Sequence, residues 1–249
     1  MKFDDYSRNY AHIKLMVKGP IRTGKTRLAA SASRLWRTYL FDTEGGALSA
    51  REVIDPGLLE IEPIVEPSPK AFLEAVNTKL VPALFGSHPA GKFECVIVDS
   101  FSEIIARMEE EYATTREDGT LGIKDWGKLM ERARRLGRIL RDAPVHTIVT
   151  CHTKPVSEAD GTKMYDTVLP GKCGSEIPGM FQTVAMTMRR LRAPNTPEDF
   201  VLVTSGNPVY LVGDRTGVLS PSELIDRAHP EEVLRKLATG LAKPVAVGV

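Results

Sequence analysis

Residues Gly19-Pro20-Ile21-Arg22-Thr23-Gly24-Lys25-Thr26 fit the pattern GxxxxGK[ST], and a strand-like run, Ile13-Lys14-Leu15-Met16-Val17, precedes them. The octapeptide restricts the fold sharply, because such a loop works only when a strand delivers it and a helix receives it. Its glycines let the backbone curl so that N–H groups point at phosphates. Lys25 then reaches the β- and γ-oxygens, and the Thr26 hydroxyl holds Mg²⁺. Chance produces the pattern in about one chain in a hundred of this length. The chain is therefore expected to bind ATP or a similar triphosphate with Mg²⁺, through Gly19, Pro20, Ile21, Arg22, Thr23, Gly24, Lys25, Thr26 and Arg27.

The rhythm around the loop supports it. Apolar runs at 13–18, 38–41, 93–98 and 145–150 alternate with helical patterns at 25–35, 69–85, 101–113 and 126–142. This is the order of a parallel sheet covered on both faces, so the fold class is α/β. In the 126–142 pattern Leu129, Ala133, Leu136 and Leu140 form one stripe, with Arg134, Arg135, Arg138 and Arg141 largely off it. Runs at 184–188, 200–203 and 209–212 read as later strands, antiparallel in part. Residues 221–240 read as a closing helix entered through Ser220-Pro221. The expected organisation is a short arm at 1–12, one core at 13–242 and a frayed tail at 243–249. Two polar stretches, 114–124 and 154–178, read as long loops, which in a compact domain usually carry function or are disordered.

Charge and cysteine usage narrow the surroundings. A formal net charge of +1 excludes a polybasic chain, so any nucleic-acid surface must come from local placement of Lys and Arg. Cys95, Cys151 and Cys173 have no CxxC spacing, and Cys151-His152 with Cys173 lacks a fourth ligand for zinc. No signal core and no run of 18 apolar residues occurs. The expectation is a cytoplasmic protein with reduced thiols and no membrane partner.

Hydrolysis needs more than a phosphate loop: an acid to orient the metal and a group to activate water. Val96-Ile97-Val98-Asp99-Ser100 is an apolar strand ending in an acid, which assigns Asp99 to the metal shell with Thr26, supported by Ser100. A turn-initiating Asp is the alternative. Leu40-Phe41-Asp42-Thr43-Glu44-Gly45-Gly46 ends a second strand in Asp-x-Glu, and strand C-termini converge on the ligand crevice of an open parallel sheet. Glu44 is thus the candidate general base, with an exposed, helix-capping carboxylate as its alternative. Cys151-His152-Thr153 ends the strand at 145–150. His152 there is either a catalytic sensor of the γ-phosphate or a satisfied loop histidine.

Together these residues resemble the RecA-type ATPases. GPIRTGKT is similar to the RecA phosphate loop, FDTEGG to the strand that ends in the catalytic glutamate, and VIVDS to the Walker B strand. The resemblance implies a RecA-like core with a mostly parallel central sheet and flanking helices, and makes Glu44 the catalytic carboxylate alongside Lys25. His152 falls where RecA carries a coupling glutamine, a departure shared with phage-encoded relatives. The nearest resemblance is to short phage nucleotide-binding proteins, including Sak-type single-strand annealing ATPases. It rests on Glu44-Gly45-Gly46, Asp125-Trp126-Gly127, the histidine and Asp214-Arg215. It implies that 114–124 and 153–176 occupy the places of the two DNA-binding loops.

On that resemblance the expected activity is a Mg²⁺-dependent, DNA-stimulated ATPase that binds single-stranded DNA and promotes annealing or strand pairing in phage recombination. A RecA-like helicase or loader motor and a nucleotide-gated interaction protein are the alternatives. Expected partners are single-stranded DNA, further copies of the chain in a ring or filament, and a single-strand DNA-binding protein, inside a bacterial host. Arg190, Arg192 and Arg215 are candidate arginine fingers for a neighbouring subunit, or else a solvated basic strand end. Arg116, Lys124, Trp126, Lys154, Lys163 and Lys172 are candidate DNA contacts, and Tyr165 could stack a base. Trp126 could equally be a packing anchor.

Overall fold

A computed structural model describes residues 11–66, 68–117, 119–157, 163–190, 198–205 and 211–242. The phosphate-loop strand β1 (Lys14–Gly19) lies inside the sheet, between β5 (His146–Ser157) and β7 (Thr183–Arg190), both parallel to it. Outward from β5 follow β4 (Cys95–Asp99), β2 (Thr38–Asp42) and the edge strand β3 (Leu59–Pro63), again parallel. Outward from β7 follow β8 (Asp199–Val203) and β10 (Ser222–Ile225), both antiparallel. The order is β3-β2-β4-β5-β1-β7-β8-β10. Two short strands lie off this path: β6 (Lys163–Thr167) folds back on the far end of β5, and β9 (Gly213–Asp214) pairs with β7.

Every residue of β1, β2 and β4 is buried, because helices cover both faces. One face carries α2 (Pro69–Ala75), α3 (Val81–Leu84), α4 (Phe101–Thr114), α5 (Ile123–Asp142) and α6 (Cys173–Glu176). Phe72, Leu80, Phe101, Ile104, Leu129, Leu136 and Ile177 form the core there. The other face carries α1 (Lys25–Ala30) and α7 (Glu231–Ala242), with Leu28, Val233, Leu234 and Leu237 against Leu15, Val17 and Ile148. The mostly parallel α/β class with later antiparallel strands is what the structure shows.

Strand alternation puts two lysines of β1 on the α5 side with Met16, both essentially inaccessible. Lys14 Nζ donates to the carbonyls of Ala143 (2.6 Å) and Val145 (2.7 Å) and to Thr147 Oγ1 (3.0 Å), closing the C-terminal end of α5. Lys18 Nζ has no acceptor among the described residues. Burial pulls both ammonium groups down to about 8.

Four segments depart from the sequence reading. Residues 154–178 are not one long loop: β5 runs on to Ser157, β6 returns antiparallel with Thr153 opposite Thr167, and α6 follows. The helix expected at 221–240 divides, since Ser222–Ile225 extends the sheet and buries Ile225. Pro230 rather than Pro221 stands at the helix entry. β3 was not anticipated, because Leu-Glu-Ile-Glu-Pro is a half-exposed edge strand without an apolar run. Of the strand expected at 209–212, Val209 and Tyr210 lie outside the described residues, and Leu211 and Val212 precede β9 without joining it. The arm residues 1–10 and the tail 243–249 also lie outside. The expected helices at 25–35 and 69–85 form with changes of pitch: α1 ends in a 3₁₀ turn at Ser31–Arg34, and one wide turn at Val76–Leu80 joins α2 to α3.

Candidate nucleotide site

The ends of β2, β4, β5 and β1 lie side by side, with Asp42 opposite Asp99 and Gly19 opposite His152. This register brings the four sequence motifs to one edge of the sheet.

The phosphate loop leaves β1 at Gly19, whose φ of 155° and contact with β7 leave no room for a side chain. A Cβ there would stand 2.6 Å from Thr187 Oγ1. Thr187 also meets Thr23 Oγ1 at 2.7 Å, tying the loop to β7. Arg22, at the apex, adopts a left-handed φ of 59°, which costs a non-glycine residue about 1 kcal/mol. Gly24, at φ 91°, caps α1 without a side chain. Lys25 is buried, and its Nζ donates back to the carbonyls of Gly19 (3.0 Å) and Pro20 (2.8 Å). Burial lowers its ammonium pKa, while the charges of Asp99 and Glu44 work the other way.

Thr26 Oγ1 donates to Asp99 Oδ2 at 2.7 Å, and Thr150 Oγ1 donates to Asp99 Oδ1. Burial raises the Asp99 carboxyl against these two hydrogen bonds, and the charges of Glu44 and Asp42 add to the rise. A hydroxyl and a carboxylate oxygen paired beside the phosphate loop are hard donors that suit Mg²⁺. The residues present therefore fit the metal that the motif implies.

Glu44 sits on a turn shaped by Asp42, whose Oδ1 accepts from Gly46 N (3.0 Å) and Oδ2 from Ala47 N (3.0 Å), with Gly45 at a left-handed φ of 68°. Its Oε1 accepts a hydrogen bond from Ser100 Oγ and lies 2.7 Å from His152 Nε2. Oε2 has no partner among the described residues, and the side chain is about one-third exposed. Burial alone would raise this carboxyl. The hydrogen bonds from His152 and Ser100 and the nearby charges of His152 and Lys25 outweigh it and hold the pKa below the ordinary glutamate value. Ser100 was expected to support Asp99; instead it serves Glu44 and caps α4 by accepting from Glu103 N (3.3 Å).

An open cleft of about 380 Å³ runs over the loop, lined by Arg22 to Arg27, Ser49, Arg189 and Phe200. That volume lies within the range of small-molecule sites. It continues into a smaller recess among Phe200, Asp226 and Arg227. Phe200 lies under Arg227 at 4.6 Å and would touch a Cβ on Gly24 at 3.1 Å. Ser49, Arg189, Phe200 and Arg227 escaped the sequence reading. Only Arg189 had an accessible signal: it is two residues beyond Thr187, so strand alternation aims it at the phosphate loop.

The remaining candidates scatter. Arg190 is exposed on the opposite side of β7, 3.6 Å from Asp199, and Arg192 lies outside the described residues. Arg215 donates to Gly179 O at 2.7 Å, away from the loop. Arg116 pairs with Asp125 (2.9 Å) at the start of α5. Trp126 packs against the core as an anchor, and Lys124 is exposed beside it. Lys154 and Lys172 are exposed on the β5–β6 side of the sheet, and Lys163 begins β6 opposite Ser157. Arg134 and Arg141 are tied to Glu176 and Asp142, as a solvated helix face would be.

The sequence matches the family AAA_24, an AAA domain, over residues 11–225. A search of curated proteins returns no match. Among solved structures, the KaiC-like protein PH0186 from Pyrococcus horikoshii OT3 is similar over 76% of this chain and 76% of its own, at 16% identity and a TM-score of 0.41. The flagellar accessory protein FlaH from Methanocaldococcus jannaschii is similar over 90% and 92%, at 14% identity and a TM-score of 0.42. No helix among the described residues is long and apolar enough to cross a membrane.

Proposed function

We propose, from the premise that the chain belongs to the AAA domain family, that it is a Mg²⁺-dependent ATPase that binds single-stranded DNA and promotes annealing or strand pairing in phage recombination. One observation carries the hydrolytic half of this reading: a single carboxylate, Glu44, stands beside Lys25 and the Thr26–Asp99 pair with one oxygen anchored and the other unpartnered among the described residues.

Each residue has a task. Lys25, already buried at the mouth of the loop, exchanges its carbonyl acceptors for phosphate oxygens. Thr26 and Asp99 would hold Mg²⁺, which when bound would offset the charge of the phosphates. Glu44, ionised at neutral pH, orients and deprotonates the attacking water through Oε2. His152 fixes the other oxygen. It also lies on β5, which continues without a break into the β5–β6 hairpin. A change at the catalytic carboxylate is thereby passed to the hairpin that carries Lys154. This supports the hairpin, with the neighbouring Lys172, as the DNA-responsive element. Arg190, at the end of β7, is offered to a neighbouring copy in a ring or filament, with Arg192 two residues further along the sequence. A single-strand DNA-binding protein is the natural co-substrate carrier, in a host cytoplasm.

The test is ATP turnover with and without an oligonucleotide, run beside an annealing assay on complementary strands. Turnover stimulated by single strands, with faster annealing, is the expected result. Turnover without stimulation or DNA binding at moderate salt overturns the recombination reading. Duplex unwinding in place of annealing identifies a motor, and binding without turnover a nucleotide-gated interaction protein.

A further inference from the structure

Arg189 is the charged side chain that β7 aims at the phosphate loop. Thr187, two residues earlier, meets Thr23 at 2.7 Å, and Arg189 continues along the same side of the strand. Its Nε donates to the carbonyl of Arg22 at 2.7 Å, and its Nη2 donates to the same oxygen. Nη1 donates to Glu198 at 3.1 Å, and the guanidinium carbon lies 5.8 Å from the centre of the Phe200 ring. The head group is therefore held from three directions at the wall of the nucleotide cleft. A guanidinium has five N–H groups, and these contacts use three of them. The other two have no acceptor among the described residues.

We infer that Arg189 binds the polyphosphate chain of the nucleotide in its own subunit, at the α- and β-phosphates. This rests on the nucleotide-site reading above. The chemistry favours a phosphate: arginine's planar fork recognises tetrahedral oxyanions through paired hydrogen bonds, and this one is already oriented by its neighbours. Its position selects the phosphates. The cleft that includes Arg189 is lined by Arg22 to Arg27 and Ser49, whereas Glu44 and Asp99, which define the γ-end, do not line it. Arg189 differs in this from Arg190, which lies on the other side of β7, exposed and 3.6 Å from Asp199. The contact to the Arg22 carbonyl also steadies a left-handed apex residue, so a purely structural role is the rival explanation.

Two isosteric directions separate the roles. Arg189→Lys keeps a cation but cannot fork onto Arg22, and Arg189→Gln keeps an amide donor for that carbonyl but has no charge. Equilibrium binding of fluorescent ATP, ADP and AMP, with kcat and KM for ATP, is measured for the wild type, both variants and Arg189→Ala. The expected pattern is a loss of about tenfold in ATP and ADP affinity for Ala and Gln, recovery to within about threefold for Lys, a smaller loss for AMP, which carries only the α-phosphate, and kcat within about twofold throughout. Affinity restored by Gln and not by Lys makes Arg189 a loop clamp and overturns the inference, as does unchanged affinity in all three variants. If the wild type itself binds none of the nucleotides, the nucleotide-site reading falls and takes this inference with it.

Discussion

Lys14 and Lys18 share a strand, a face and a lowered pKa of about 8, yet replacing them with methionine should move stability in opposite directions. Methionine matches the length of the lysine stem and carries no charge. For Lys18, holding a charge whose pKa falls from 10.5 to about 8 costs the native state about 3 kcal/mol at neutral pH, at about 1.4 kcal/mol per unit. No hydrogen bond among the described residues offsets it. Lys18→Met should therefore stabilise the protein by about 2–3 kcal/mol at pH 7. Lys14 bears a similar penalty, but its ammonium satisfies three acceptors at 2.6–3.0 Å. Lys14→Met strands the buried Ala143 and Val145 carbonyls and Thr147 Oγ1 at about 1–3 kcal/mol each, more than removal of the charge relieves, and so should destabilise by roughly 2–5 kcal/mol. The pH dependence carries a sign of its own. Between pH 8 and 10.5 the unfolded lysine binds more protons than the folded one, so wild-type stability rises with pH and the advantage of Lys18→Met shrinks. Urea unfolding at pH 7 and pH 10 reads both effects. Two variants that shift stability in the same direction at pH 7, or an advantage of Lys18→Met that grows with pH, would refute the reasoning.

Three further outcomes follow from the site. Gly19→Ala places a Cβ 2.6 Å from Thr187 Oγ1 and 2.7 Å from its carbonyl, and should weaken fluorescent ATP binding at least about tenfold, or 1.4 kcal/mol, by equilibrium titration. His152→Ala removes a hydrogen bond that lowers the Glu44 pKa, so the acid limb of the kcat profile should move to higher pH while kcat falls by about tenfold. An acid limb that stays in place separates His152 from Glu44. Asp99→Asn should raise the Mg²⁺ concentration needed for half-maximal turnover, read by metal titration, because it weakens the pair with Thr26.

How much of this was legible in the sequence depends on what each residue answers to. The phosphate loop, the Asp99 strand and the Glu44 turn were readable because local chemistry dictates them: a curled backbone needs glycine, and a buried strand needs an apolar run. Their meeting point followed from the parallel order alone. Partner assignments were harder. Ser100 adjoins Asp99 in sequence, yet its hydroxyl reaches Glu44 beyond the end of the adjacent strand β2, and nothing in the local pattern reveals that. Arg190 stood out beside Arg192, but the side of β7 that meets the loop is fixed by pairing with β1, and that favours Arg189. Edge and hairpin strands hid for a different reason. β3 is half-exposed and β6 is mostly polar in sequence, so they read as connection until a neighbouring strand supplies their hydrogen bonds. The Ser220-Pro221 signal was sound as a helix start in isolation, and β8 overrode it by offering an open edge to Ser222–Ile225.

The account stands on Glu44 as the group that activates water at a site otherwise built for binding. Glu44→Gln keeps the shape of the side chain and an acceptor for Ser100 and removes the base. The measurement is single-turnover ATP hydrolysis by this variant, alongside its affinity for Mg²⁺ and ATP. The account predicts affinity within about threefold of the wild type and a hydrolysis rate lowered by at least about a hundredfold. Wild-type hydrolysis by Glu44→Gln would contradict it.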